Sequence, residues 1–145
     1  MKKIGEYSAR LSIGYKETKR VNVFDGDYTT GYKLTKIQAF TNKPGIDDAN
    51  GWITVATTDS FDGTEWNAAN SQQIAWAGFH TTSFGGTSVY VPETVIDRNN
   101  LVIEDLYIYG ESESDLLINV YMEFDVYQLP PYRGSLAIVQ NMSQG

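Results

Sequence analysis

His80 is the only histidine of the chain, so a zinc site built from several histidines is excluded, and any serine–histidine–acid triad would have to run through it. Thr81, Thr82 and Ser83 follow it without the glycine-flanked serine of a nucleophile elbow. His80 therefore reads as a surface or hydrogen-bonded histidine. Glu123 and Asp125 stand two residues apart, with Glu104 placed to project from a neighbouring strand. Two carboxylates about 5–9 Å apart across a cleft, one with a raised pKa, are the equipment of glycoside hydrolysis. No cleft is legible around these three, and acids alternating with apolar residues fit the wet face of an amphipathic strand. Asp25 with Asp27, and Asp59 with Asp62, offer the loop oxygens that calcium takes. Neither pair has EF-hand spacing, and turn formation beside glycine explains both. With no cysteine there is no thiolate ligand, cysteine nucleophile or disulfide. No catalytic residue, metal ligand or cofactor site is expected, and the chain reads as a non-enzyme.

The aromatic residues carry the other recognisable chemistry: 13% of the chain, with 10 tyrosines and three tryptophans. A tryptophan face suits the apolar C–H groups of a sugar ring. Trp52 and Trp76 lie in apolar segments and read as core, whereas Trp66, in the loop Asp62-Gly63-Thr64-Glu65-Trp66-Asn67, is the candidate sugar contact. Tyr107, Tyr109, Tyr121 and Tyr127, at outward strand positions, suit protein–protein contact.

The elements that must position these groups are strands. From Leu116 to Val126 apolar and polar residues alternate almost without error, and nearly every other apolar segment shares that period, separated by Gly, Asn, Asp and Pro. The reading is β-strand at Glu6–Ile13, Arg20–Phe24, Tyr32–Phe40, Trp52–Ala56, Ile74–Phe79, Val89–Val91, Leu101–Tyr109 and Leu116–Tyr127. The parity change between Leu34 and Ile37 predicts a bulge or bend. The first two strands read as a hairpin, and so do the last two, joined by the polar run Gly110–Asp115. Thr58–Gln72 is the longest loop, with room for a turn of helix near Asn67–Gln73. The 145 residues suffice for one core, and short strands with no helix-period segment predict an all-β, antiparallel two-sheet sandwich of jelly-roll or Greek-key kind. Residues 1–129 would form this domain, and residues 130–145 an extended C-terminal tail.

The formal charge of −7 is unevenly placed: residues 99–132 hold seven acids and no base, while residues 1–98 hold 11 acids and 10 bases. Such a region repels phosphate, so no nucleic-acid partner is expected. It is read as a solvated face or as a docking surface for a basic partner. No run approaches the roughly 20 apolar residues of a membrane span, and the first residues lack the apolar stretch of a secretory signal. After Pro130-Pro131 the tail carries one charge, Arg133, and the apolar patch Leu136, Ala137, Ile138 and Val139. It would fold back on its own body or add to a neighbour's sheet edge.

The opening Met1–Arg10, the run Asn22–Gly26, the segment Ile74–Gly78 and the late stretch Val102–Tyr109 resemble small β-rich proteins encoded by marine tailed bacteriophages. The resemblance spans most of residues 1–128. It implies a virion structural protein that decorates or cements the capsid exterior by bridging major capsid protein subunits, possible as a homo-oligomer and made in the host cytoplasm. Lys16, Lys19 and Arg20, with Tyr132, Arg133, Leu136, Ile138 and Val139 of the tail, are the expected partner contacts. The alternative is a carbohydrate- or receptor-binding module of a tail or fibre, with Trp66 touching the ligand.

Overall fold

The computed structural model describes residues 2–23, 29–44, 49–59, 64–84, 87–113 and 116–130. Eight strands run in order: β1 (Lys2–Ile13), β2 (Glu17–Val21), β3 (Thr30–Thr41), β4 (Asn50–Ala56), β5 (Gln73–Phe84), β6 (Thr87–Ile96), β7 (Leu106–Ser112) and β8 (Ile118–Gln128). They form two packed antiparallel sheets, β1-β8-β3 and β2-β7-β4-β5-β6. The chain is thus an all-β sandwich. In the larger sheet β4, β5 and β6 follow one another, and β7 returns to lie beside β4, which is the Greek-key order.

Alternation builds the core. On β8, Ile118, Val120, Met122 and Phe124 point into the sandwich and are buried, facing Ile53 and Val55 of β4 and Leu106 and Ile108 of β7 in one cluster. Each such side chain contributes about 1.5–3 kcal/mol. The expected bulge in the third strand is present: the register of β3 against β8 shifts between Leu34 and Lys36.

Both expected end hairpins are absent. β1 pairs with β8 and β2 with β7, so the tight turn at Gly14–Lys16 carries the chain from one sheet to the other. Lys16 takes a positive φ of 52° there, and Glu17 N–H bonds the Gly14 carbonyl at 3.3 Å. Likewise β7 and β8 lie in opposite sheets. Ahead of β8, buried Leu116 is held by the Ser112 hydroxyl, which donates to its carbonyl at 2.7 Å. Alternation states which face of a strand is buried; it carries no information on which edge finds which partner. The segment 67–73 is a pair of turns, closed by Asn70 N–H to the Asn67 carbonyl and Gln73 N–H to the Asn70 carbonyl, with no helix among the described residues.

The outer edge of β3 is capped by side chains and one bridge. Buried Asn100 bonds both backbone groups of Leu34, Val102 exchanges two backbone bonds with Tyr32, and Thr94 and Tyr90 donate hydroxyls to the carbonyls of Ile37 and Ala39. These contacts satisfy groups that would otherwise invite another strand. β6 lies at the sheet edge and carries Pro92, as a residue without an N–H requires.

Candidate ligand-binding groove

On β4, Gly51, Ile53 and Val55 face the core, which leaves Asn50, Trp52 and Thr54 on the outer face of the larger sheet. The register then sets a row across four strands: Glu111 of β7, Trp52 of β4, Gly78 of β5 and Glu93 of β6. Asn50 and His80 pair in the adjoining row.

The loop from Thr64 to Gln72 packs over this face. Trp66 donates its indole N–H to the Ile53 carbonyl at 3.2 Å, and its ring stands edge-on to Trp52, centroids 6.1 Å apart at 82°. Gln73 accepts from Trp76 Nε1 at 2.8 Å and from Asn67 N–H at 3.0 Å, which fastens the loop over Trp76. On its other side Trp52 packs against Tyr109, centroids 6.0 Å apart. The result is an open groove of about 490 Å³, with Trp52 and Trp66 as apolar walls and Asn50, Thr64, His80 and Glu93 supplying polar atoms. That volume lies within the range of small-ligand sites.

Gly78 keeps the groove open. A Cβ there would lie 3.0 Å from Trp52 Cβ and 3.1 Å from the Gly51 carbonyl oxygen, so the tryptophan settles directly against bare backbone. Glu93 and His80 are engaged by no described residue. The nearest acid in the same row, Glu111, accepts the Tyr109 hydroxyl at 2.9 Å. Three strand spacings separate it from Glu93, roughly 14 Å, beyond the ~5–9 Å that a hydrolytic carboxylate pair needs. The groove is equipped to hold a ring by its faces and to bond its hydroxyls.

Trp66, the sequence's candidate sugar contact, lines this groove and is 42% exposed. Trp52 was read as core and is instead a groove wall. It alternates with Ile53 and Val55 in a strand covered on both faces, so its sequence context matches that of a core residue. Trp76 is buried, but under the 64–73 loop on the outer face, with its indole N–H bonded to Gln73. Gly78, Glu93 and Asn50 carried no signal in the sequence, because only the pairing register brings them together.

The other candidates are dispersed. His80 is an exposed rim residue. Glu123 and Asp125 lie on the outer face of the three-stranded sheet, paired with Lys36 at 3.9 Å and Lys3 at 3.1 Å, while Glu104 precedes a strand of the opposite sheet. The acid-rich segment therefore does not form one acidic face. Hydrogen bonds from Lys3 to Glu6 and Asp125 raise the pKa of that lysine. Lys19 contacts Glu17 at 3.4 Å and donates to the Ser12 carbonyl, and Arg20 is paired with Asp105. Lys16 rests its ammonium over the Tyr15 ring, 5.2 Å from the centroid. Among the described residues no cluster of three or more His, Asp or Glu could hold a metal ion, and no helix is long and apolar enough to cross a membrane. Asp25, Asp27, Asp62 and the tail contacts Tyr132, Arg133, Leu136, Ile138 and Val139 lie outside the described residues. Comparison with known protein families, known proteins and solved structures finds no match for this chain.

Proposed function

We propose that the protein is a non-enzymatic recognition module that binds a glycan in the Trp52–Trp66 groove and, as its resemblance implies, works on a virion surface. The observation that carries this reading is the fixed perpendicular tryptophan pair beside the bare backbone of Gly78. A sugar ring presents apolar C–H faces and a rim of hydroxyls, and the groove offers aromatic walls with amide, imidazole and carboxylate at their margin. Trp66 is held in place before any ligand arrives, so little ordering entropy is lost on binding. The test is a glycan array followed by titration calorimetry. Trp66→Ala should weaken the best glycan at least about tenfold, the scale of a lost aromatic anchor, with the thermal melt of the fold retained. Array signal unchanged by that substitution would overturn the assignment.

A second reading, capsid decoration, draws on a different surface. Tyr15, Phe40 and Leu117 are exposed apolar side chains toward one end of the sandwich, with Lys16 beside them. In this reading that end and the tail meet the major capsid protein, and binding stabilises the shell because only the assembled lattice is recognised. Purified particles assembled with a chain lacking residues 132–145 should show reduced occupancy, and full occupancy would remove the tail from the argument.

A further inference from the structure

Resting on the glycan-binding reading, the charge distribution around the groove identifies the class of sugar. The carboxylate of Glu93 sits across β5 from Trp52, in register with Gly78, and no described residue neutralises it. Glu65 precedes Trp66 in the covering loop, and at the rim Asn50 Nδ2 is already committed to Glu113, at 2.9 Å. Among the described residues no lysine or arginine lines the groove.

We infer that the groove selects amino sugars with a protonated amine over the matching neutral sugars, and rejects uronic and sialic acids. An ammonium between Glu93 and the indole faces gains an ion pair and a cation–π contact together. A uronate carboxylate in the same place meets Glu93 with no compensating base. The neutral sugar retains only the stacking and hydroxyl contacts.

The test compares four β-1,4- or α-1,4-linked tetramers by calorimetry at low salt: glucosamine, N-acetylglucosamine, glucose and galacturonic acid. The glucosamine tetramer should bind roughly five- to tenfold tighter than the glucose tetramer, the scale of an exposed ion pair plus a cation–π contact. The galacturonate tetramer should not bind measurably. Glu93→Gln, on an exposed edge-strand position, removes the charge but keeps a hydrogen-bonding oxygen, and should bring the glucosamine-to-glucose ratio to about one. Equal binding of galacturonate, or a preference that survives Glu93→Gln, overturns the charge selection while leaving a Trp66-dependent glycan site standing. Displacement of the sugar by tetramethylammonium at equal concentration would show that the cation alone is recognised and would overturn the amino-sugar assignment. Absence of binding by all four tetramers, with a silent glycan array, overturns the parent reading instead.

Discussion

Asn100 serves Leu34 as a substitute strand: its amide oxygen accepts the Leu34 N–H at 2.8 Å, and its amide nitrogen donates to the Leu34 carbonyl at 3.1 Å. The same nitrogen donates to the Asp97 carbonyl at 2.7 Å, which fixes the side chain from its own loop. Leu34 is in the edge strand of its sheet and next to the bulge, and Asn100 bonds its N–H and carbonyl where a further strand would.

Asn100→Ala should therefore destabilise the protein by about 2–4 kcal/mol, since two buried backbone groups lose their partners at once. Asn100→Asp keeps an acceptor for the N–H but sets an oxygen against the Leu34 carbonyl, so it too should destabilise. Urea unfolding measures both, and a loss below about 0.5 kcal/mol for Asn100→Ala would show that water replaces the amide at no cost.

At Gly110 of β7 the two sheets approach closely, against Ile13 of β1. A Cβ there would lie 2.6 Å from Ile13 Cγ2, deep in the core. Gly110→Ala should cost about 1–3 kcal/mol by overpacking. Combined with Ile13→Ala, which empties the space, the double variant should lose less stability than the sum of the two single changes, by about 1 kcal/mol. Strict additivity would refute the close approach.

Arg20 was a candidate partner contact, and the structure gives it an internal role. Its Nε pairs with Asp105, whose side chain is only 13% exposed and whose second oxygen is buried without a hydrogen bond from any described residue. Arg20→Met should destabilise by about 1–3 kcal/mol, because the carboxylate keeps its desolvation cost and loses its cation. Adding Asp105→Asn should recover at least half of that loss. Paired melts of the single and double variants decide the matter, and independence of the two sites would return Arg20 to the surface.

Tyr90 gives the fold an alkaline sensitivity. Partial burial raises its pKa above the ordinary 10.0, and its hydroxyl donates to the Ala39 carbonyl at 3.1 Å. A raised value means that the folded chain holds this proton where the unfolded chain releases it. The associated stability is complete below pH 10 and declines as pH rises through the folded pKa. Melting temperatures recorded from pH 9 to 12 should fall less steeply for Tyr90→Phe than for the natural chain. Parallel slopes would assign the alkaline loss to other groups.

Local features of this fold were legible because local chemistry dictates them. The run Leu116–Val126 declares a half-buried strand, and the parity slip between Leu34 and Ile37 declares the bulge. Pairing was not legible. The polar loop after Gly110 has hairpin length, yet its strands belong to opposite sheets. The groove shows both outcomes, since Trp66 stands out in a polar loop while Trp52 hides among β-branched neighbours. Gly78 and Glu93 acquire meaning only when the β5–β6 register sets them side by side.

The pairing of Lys2–Ile13 with Ile118–Gln128 has a consequence for biosynthesis. Among the described residues β1 and β3 hydrogen-bond within their sheet to β8 alone, so neither has that ladder partner until β8 has been made. At about 5–20 residues per second, β1 waits on the order of ten seconds on the ribosome, while the β4–β5–β6 meander is free to close early. Through that interval Lys2, Lys3, Arg10, Lys33 and Lys36, against the single acid Glu6, leave both waiting strands with a net positive charge. Residues that later decorate an outer face serve first as gatekeepers, keeping nascent chains apart.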